Sequence, residues 1–376
     1  MSADLLYGEV EEDLRGTVRR VLRDRCDSSA VLARCESEEP YDFALWRTLA
    51  GDLGVATLPV PEESGGAGAS ARELAVVAEE IGRAVAPVPF LGTVLATSAL
   101  SAAGPANKEL IAEIGAGSRI ATVAIGLTTA PSAPLTPSVR VENDTLTGSV
   151  RAVVDLEAAD TVLVPASTPG GVALFRVDVS SPGVTCTPVT SLDLTRRIGT
   201  LELSGAPAHE VSSDGEAVLR HALRIAAGVL ASEQTGLAQH CLDSTVEYVL
   251  TRYQFGRQVG SFQAVKHRLA DLWSGLSTAR ATARNAADAL SGRSEADTAE
   301  TDPAETELAV ALAQAYCSDL AVRAAEDSLQ LHGGIGMTWE HPVHLYLGRA
   351  KSAQLAFGTA ERHRARIAEL TGLPPA

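Results

Sequence analysis

Several things are scarce or missing in this sequence, and each absence removes a class of function. Among 376 residues, 45% hydrophobic and 21% charged, no uninterrupted apolar run approaches the roughly 20 residues that cross a bilayer. Positive charge is in deficit: the formal net charge is −16, which argues against a general basic surface for nucleic acid. The five cysteines (Cys26, Cys35, Cys186, Cys241, Cys317) are scattered, odd in number and without C-x-x-C spacing. Neither a zinc site nor a disulfide framework is expected from them. Cys241 and Cys317 stand in apolar helical surroundings and read as small core residues. Glycine-rich phosphate loops are missing too: no G-x-G-x-x-G follows a strand, and no G-x-x-x-x-G-K-[ST] occurs. The first residues, Met1-Ser-Ala-Asp-Leu-Leu-Tyr-Gly-Glu, carry an early acid and no basic stretch. They do not read as a secretory leader, so a cytoplasmic location is the expectation.

What is present falls into three textures. Residues 1–119 have helical spacing, with Val10, Leu14, Val18, Val21 and Leu22 on one face and a second run at Phe43, Leu45, Trp46 and Leu49. A further helix through Leu74, Val77 and Ile81 ends near Pro87 and Pro89. Residues 120–213 turn to short β-branched runs: Ile120–Ile125, Ser138–Glu142, Thr145–Gly148, Thr161–Val164 and Val172–Val179, with Asn143-Asp144 as a turn. No crossover helix interrupts them, so an antiparallel β-domain is expected. Residues 214–376 return to helix, over about Glu216–Arg252 and Phe262–Leu290. A polar loop from Ser291 to Asp302 follows. A third helix is capped by Asp302 with Pro303 in its first turn, and Leu308, Leu312, Tyr316 and Leu320 form its expected buried stripe. The fold class is α+β: an N-terminal helical domain, a middle antiparallel β-domain and a C-terminal four-helix bundle.

Three segments then stand out. They are Gly54-Val-Ala-Thr-Leu-Pro-Val-Pro-Glu-Glu-Ser-Gly-Gly-Ala-Gly with Val77-Ala-Glu-Glu-Ile-Gly-Arg, Arg252-Tyr-Gln-Phe-Gly-Arg-Gln-Val-Gly-Ser-Phe-Gln, and Gln330-Leu-His-Gly-Gly-Ile-Gly-Met-Thr-Trp-Glu-His-Pro. In this order and spacing they resemble the signatures of acyl-CoA dehydrogenases, and the resemblance spans nearly the whole chain. It implies FAD as cofactor and an acyl-CoA thioester as substrate. The expected reaction is α,β-desaturation, with a glutamate taking the α-proton and hydride passing to flavin N5.

Chemistry supports these positions in part. Arg252 can grip a diphosphate with parallel hydrogen bonds or simply face solvent near a helix end. Phe255 can stack on an adenine or pack in the core. Gln263 offers a donor and an acceptor. Gly333 and Gly334 admit close backbone approach and also suit a helix C-cap. By resemblance, this glycine turn and Gln330 lie against the FAD of a neighbouring subunit. An oligomer is therefore implied, either a homotetramer or an α2β2 heterotetramer with a second chain of this type. An electron-transfer flavoprotein is implied as a further partner. His332 reads as structural, and His341, His344 and Glu340 are given no metal.

The chain also departs from the family pattern. The usual Tyr-Glu-Gly-Thr base motif reads Ala356-Phe-Gly-Thr, so Phe357 replaces the base, while Thr359 is kept as a candidate flavin contact. The alternative base position on the long helix is Ala226. Glu233, two turns on, is the candidate catalytic base; its other reading is a buried acid paired with arginine. Glu361 is a lesser candidate, and Asp243 and Glu247 are expected to face solvent or a partner. The flavin-flanking strands are altered as well, to Gly126-Leu-Thr-Thr-Ala-Pro-Ser and to Ala152, Val153 and Val154. Three functions are compatible: a dehydrogenase subunit, a non-catalytic partner completing the FAD site of a heterotetramer, and a flavin monooxygenase or oxidase on the same scaffold.

Overall fold

The computed structural model describes residues 5–143, 145–292 and 302–373. Asp144, the second residue of the expected turn, and residues 293–301 of the expected polar loop lie outside the described residues.

Six helices open the chain: α1 (Glu9–Arg25), α2 (Ser28–Cys35), α3 (Phe43–Arg47), α4 (Ala71–Ala84), α5 (Phe90–Ala102) and α6 (Lys108–Gly115). α4 starts on a capping box in which Ser70 accepts from Arg72 N–H and Glu73 accepts from Ser70 N–H, satisfying donors that a helix start leaves open. In α1 the expected face is corrected at one end. Val18 and Leu22 are buried, whereas Val10 is 68% exposed; in the first turn it is Glu11 that faces α4, bonded to Arg72 at 2.8 Å.

Strands β1 (Ala121–Val123), β2 (Val139–Glu142), β3 (Thr145–Val154), β4 (Thr161–Thr168), β5 (Gly171–Asp178), β6 (Val184–Val189), β7 (Ile198–Pro207) and β8 (His209–Ser212) form one sheet. Its order is β6-β7-β3-β2-β4-β5-β8, with β1 added on β4. The sheet is mixed, which corrects the antiparallel expectation. β1 pairs parallel with β4, and β2 touches β4 in parallel at Arg140 and Ser167. β1 enters directly from the helical region and therefore lies alongside β4 instead of folding back on it.

The C-terminal region holds α7 (Gly215–Thr251), a two-stranded hairpin of β9 (Tyr253–Gln254) and β10 (Arg257–Gln258), α8 (Gln263–Leu290), α9 (Pro303–His332), α10 (Val343–Leu355) and α11 (Ala360–Leu370). Asp302 caps α9 by accepting from Ala304 N–H at 2.9 Å. The expected stripe on α9 is corrected. Leu312 and Tyr316 are 42% and 39% exposed, and the buried face runs through Ala313, Cys317, Ala321 and Ala324. Small residues let α9 approach α7 and α8 closely, so Leu312 and Tyr316 are turned outward, while Leu320 of the expected stripe is buried. Helices of the first and last regions share one continuous core, while the sheet has its own. α4 and α7 meet backbone to backbone. A Cβ at Gly236 would lie 1.8 Å from the Glu79 carbonyl, and one at Gly82 would lie 2.0 Å from that of Glu233.

Candidate functional site

Seven residues were expected from the sequence to hold a cofactor, and the structure separates them into two groups. Arg252, Phe255, Gln263, Gln330, Gly333 and Gly334 gather at one end of the helical bundle. α7 ends there, α8 begins there and α9 ends there. Cross-helix contacts fix the alignment: Thr245 donates to Ser328 Oγ at 2.9 Å, and the Tyr248 and His332 rings lie 4.5 Å apart.

All six positions of this group are exposed. Arg252 ends α7, and its carbonyl accepts from Val259 N–H at 2.8 Å, closing the hairpin loop. Phe255 sits at the hairpin tip with φ 54° and is 92% exposed. A phenyl ring so displayed is held against water by the turn and not by packing. Its only ring neighbour among the described residues is Phe262, edge-on at 6.3 Å, which itself lies under the Arg257 guanidinium at 3.8 Å. Gly333 (φ 63°) caps α9 in a conformation that favours glycine. A cation, an exposed aromatic face and a glycine turn on one surface suit a nucleotide diphosphate.

Thr359, the seventh residue, stands apart at the turn between α10 and α11. Here three segments converge that the resemblance sets around a flavin. Leu127 is their junction: its N–H donates to the Ala152 carbonyl at 2.9 Å, and its carbonyl accepts from Phe357 N–H at 2.8 Å. Phe357 is fully buried. Its carbonyl faces His363 Nε2 at 3.1 Å, and burial lowers the His363 pKa. Ala152 and Phe357 both have φ 56°, a region costly for residues with a Cβ. Gly358 lies so close to the loop that a Cβ on it would be 2.9 Å from Ala130 Cβ. The turn and the sheet are thus sewn together backbone to backbone. Beside this seam a cavity of about 170 Å³ remains, lined by Ala124, Gly126, Thr129, Leu135 and Leu219 among others.

Neither base position offers an acid, and Ala226 is fully buried. Glu233 is buried at 1% exposure, with Oε1 paired to the Arg196 guanidinium and 3.3 Å from Arg349 Nη1. Arg349 in turn donates to Thr195 Oγ1 at 2.8 Å, to the Thr195 carbonyl at 3.0 Å and to the Ala86 carbonyl at 3.1 Å. Its guanidinium also stands 3.5 Å from Asp193. One guanidinium thereby ties α10, the loop between β6 and β7, the α4–α5 connection and α7. The geometry favours the arginine-paired reading of Glu233 over the proton-acceptor reading, since a carboxylate gripped by two guanidiniums in the core faces no substrate. Glu361 is exposed and salt-bridged loosely to Arg364 at 3.9 Å. Asp243 pairs with Arg83 at 2.8 Å, and Glu247 is exposed. His332 is buried, with Nδ1 2.7 Å from the Ser328 carbonyl. Among the described residues no cluster of His, Cys, Asp or Glu is arranged to hold a metal ion, and no helix is long and apolar enough to cross a membrane.

Sequence reasoning missed Leu127, Arg196 and Arg349. Arg349 left a trace, as a charge following the apolar run Leu345-Tyr-Leu-Gly in α10.

Residues 8–109 match the acyl-CoA dehydrogenase N-terminal domain and residues 213–371 the acyl-CoA dehydrogenase C-terminal domain. The chain is 36% identical to acyl-CoA dehydrogenase IpdE2 of Mycobacterium tuberculosis, over 92% of this chain and 93% of that protein. Among solved structures, the ChsE4–ChsE5 complex of Mycobacterium tuberculosis superposes with TM-score 0.86 at 30% identity over 100% of both chains. A Tcur3481–Tcur3483 steroid ACAD variant does so with TM-score 0.84 at 31% identity, over 97% of this chain and 98% of that one.

Proposed function

The chain belongs to the acyl-CoA dehydrogenase family, flavoprotein oxidoreductases acting on CH–CH bonds, and within it we propose that it serves as the non-catalytic partner subunit of a heterotetramer. The observation that carries this reading is the Leu127 seam. The three segments that would flank a flavin in this chain are hydrogen-bonded to one another, and the base position is a buried phenylalanine. This side of the chain does not fit FAD.

The bundle end does fit it. Arg252 would grip the diphosphate of an FAD seated on the second chain, Phe255 would stack on its adenine, and Gln330 with the Gly333–Gly334 turn would line its edge. Gln263 would bridge cofactor and neighbour, and Thr359 would remain with the closed side. FAD bound there supplies the hydride acceptor of the family's desaturation. This chain's contribution is to bind and orient the cofactor and to exclude water, while a carboxylate of the second chain takes the α-proton. The likeness to the ChsE4–ChsE5 complex and to the Tcur3481–Tcur3483 steroid ACAD variant supports a bulky acyl-CoA as substrate of the assembly. An electron-transfer flavoprotein would then reoxidise it.

Purification of the chain alone and with a co-expressed second subunit tests the proposal. Flavin is expected only in the two-chain assembly, at one FAD per pair. Stoichiometric flavin on the isolated chain, bleached by an acyl-CoA in the absence of oxygen, would overturn it.

A further inference from the structure

A separate cavity lies where α1, the start of α2, the end of α4, α7 and α10 meet. It measures about 380 Å³ and is open on one side. Its inner wall is apolar: Leu22, Cys26, Ala84 and the stacked rings of His240 and Tyr346, which lie 4.1 Å apart and 3° from parallel. Burial pushes the His240 pKa down to about 4 and the Cys26 thiol up to about 12. Near neutral pH the imidazole is therefore an uncharged surface and the thiol an inert one.

The rim is charged, with three guanidiniums (Arg19, Arg23, Arg83) against two carboxylates (Asp27, Glu80). Both carboxylates are already engaged. Glu80 receives two hydrogen bonds from Arg19, at 2.8 and 2.6 Å. Asp27 caps α2, accepting from Ala30 N–H at 2.8 Å and from the Ser29 hydroxyl at 2.6 Å. Arg83 uses Nη2 on Asp243. Among the described residues Arg23 pairs with its exposed neighbour Asp24, at 3.0 Å, and is itself 72% exposed. The rim thus keeps unused guanidinium donors above an apolar floor, on a protein whose overall charge is −16.

The geometry points to a binding site for an amphiphilic monoanion, an apolar body bearing one carboxylate, held between α1, α4, α7 and α10. The apolar wall takes the body through burial of hydrocarbon. Arg23 and Arg83 take the head, because a guanidinium fork matches a planar carboxylate. Counting Asp24 and Asp243, each rim guanidinium already faces a carboxylate, so the head is held by the unused N–H donors of Arg23 and Arg83 and not by a net charge. The second charge of a dianionic phosphate is disfavoured by Glu80 and Asp27 at the same rim. The site does not depend on the cofactor or on the subunit role proposed above.

Decanoate, decan-1-ol and decyl phosphate serve as probes, titrated calorimetrically into the full chain, assembled with its second subunit where that is how it purifies. Decanoate is expected to bind saturably at one site, about tenfold more tightly than the alcohol. Arg23→Glu, on an exposed side chain, is expected to weaken decanoate about tenfold and leave the alcohol unchanged. Ala84→Trp, which fills the cavity, is expected to abolish binding of both. If Ala84→Trp fails to fold, Arg23→Glu decides alone. Equal affinity for acid and alcohol, tighter binding of the phosphate, indifference to Arg23→Glu, or no saturable uptake of decanoate would each overturn the assignment.

Discussion

Phe357 N–H donates to the Leu127 carbonyl at 2.8 Å, and this bond joins the turn before α11 to the loop after β1. In the family pattern the residue at Phe357 is an acid that must reach a substrate. Here the ring is fully buried, and its backbone is committed to a segment that would otherwise border a flavin.

Restoring the acid should therefore not restore the chemistry. Phe357→Glu replaces a fully buried ring by a carboxylate. Lost packing and the burial of a charge together cost about 3–5 kcal/mol. The expected outcome is a lower denaturation midpoint and no gain in acyl-CoA-dependent flavin reduction by the isolated chain. A rise in that activity would mean that the seam opens.

Glu233 is expected to matter for stability and not for turnover. Glu233→Gln leaves Arg196 and Arg349 without their shared carboxylate, a loss of about 3–5 kcal/mol for a broken buried pair. Denaturant unfolding should report it. The assembled enzyme that survives should keep its turnover number within about twofold. A drop of a hundredfold or more at unchanged flavin content, in the range expected for loss of a general base, would identify Glu233 as the base.

Asp155 should give the stability a measurable pH dependence. Its carboxyl is buried and accepts from Tyr41 OH at 3.2 Å and from Gly92 N–H at 2.8 Å. Burial raises its pKa from 3.8 to about 6. Between those values the folded chain holds a proton that the unfolded chain has released, so stability falls as pH rises. The penalty is absent below about pH 4 and complete above about pH 6, and it is of order 3 kcal/mol. Asp155→Asn keeps an acceptor for Gly92 and removes the titration. Relative to the natural chain, the variant should gain stability as the pH goes from 4.5 to 7.5. A difference independent of pH would show that Asp155 does not titrate in this way.

The bundle-end group should separate cofactor binding from folding. Phe255→Ala and Arg252→Ala alter exposed side chains, and each should change the chain's own stability by less than about 0.5 kcal/mol. In the assembly each should weaken FAD retention about tenfold or more, as expected when a stacking face or a charge-assisted contact is lost. Flavin content after gel filtration measures this directly. Unchanged retention in both variants would remove this surface from the cofactor site.

Much of the fold was legible because the long helices announce themselves. The 37 residues of α7 contain no proline, and Asp302-Pro303 marks the start of α9 as a cap and first-turn proline should. Sidedness was harder to read. α9 is apolar on more than one face, and its alanines outcompete Leu312 and Tyr316 for the interior because close helix packing selects small residues. β6 and β7 were missed because Pro188, Gly199, Gly205 and Pro207 interrupt them as turn residues would, and β8 because it is only 4 residues long. The bundle-end residues are local to short motifs and could be named in advance. The Leu127 seam and the Arg349 ties could not. They join residues far apart in sequence, such as Leu127 with Phe357 and Arg349 with Thr195 and Ala86, and only the folded chain brings these together.

Flavin stoichiometry is the most direct test of the central claim. Native mass spectrometry of the isolated chain and of its complex with the second subunit would count FAD against protein. The closed Leu127–Phe357 seam predicts no FAD on the isolated chain and two FAD per α2β2 tetramer. Four FAD per tetramer, or one on each isolated chain, would contradict it.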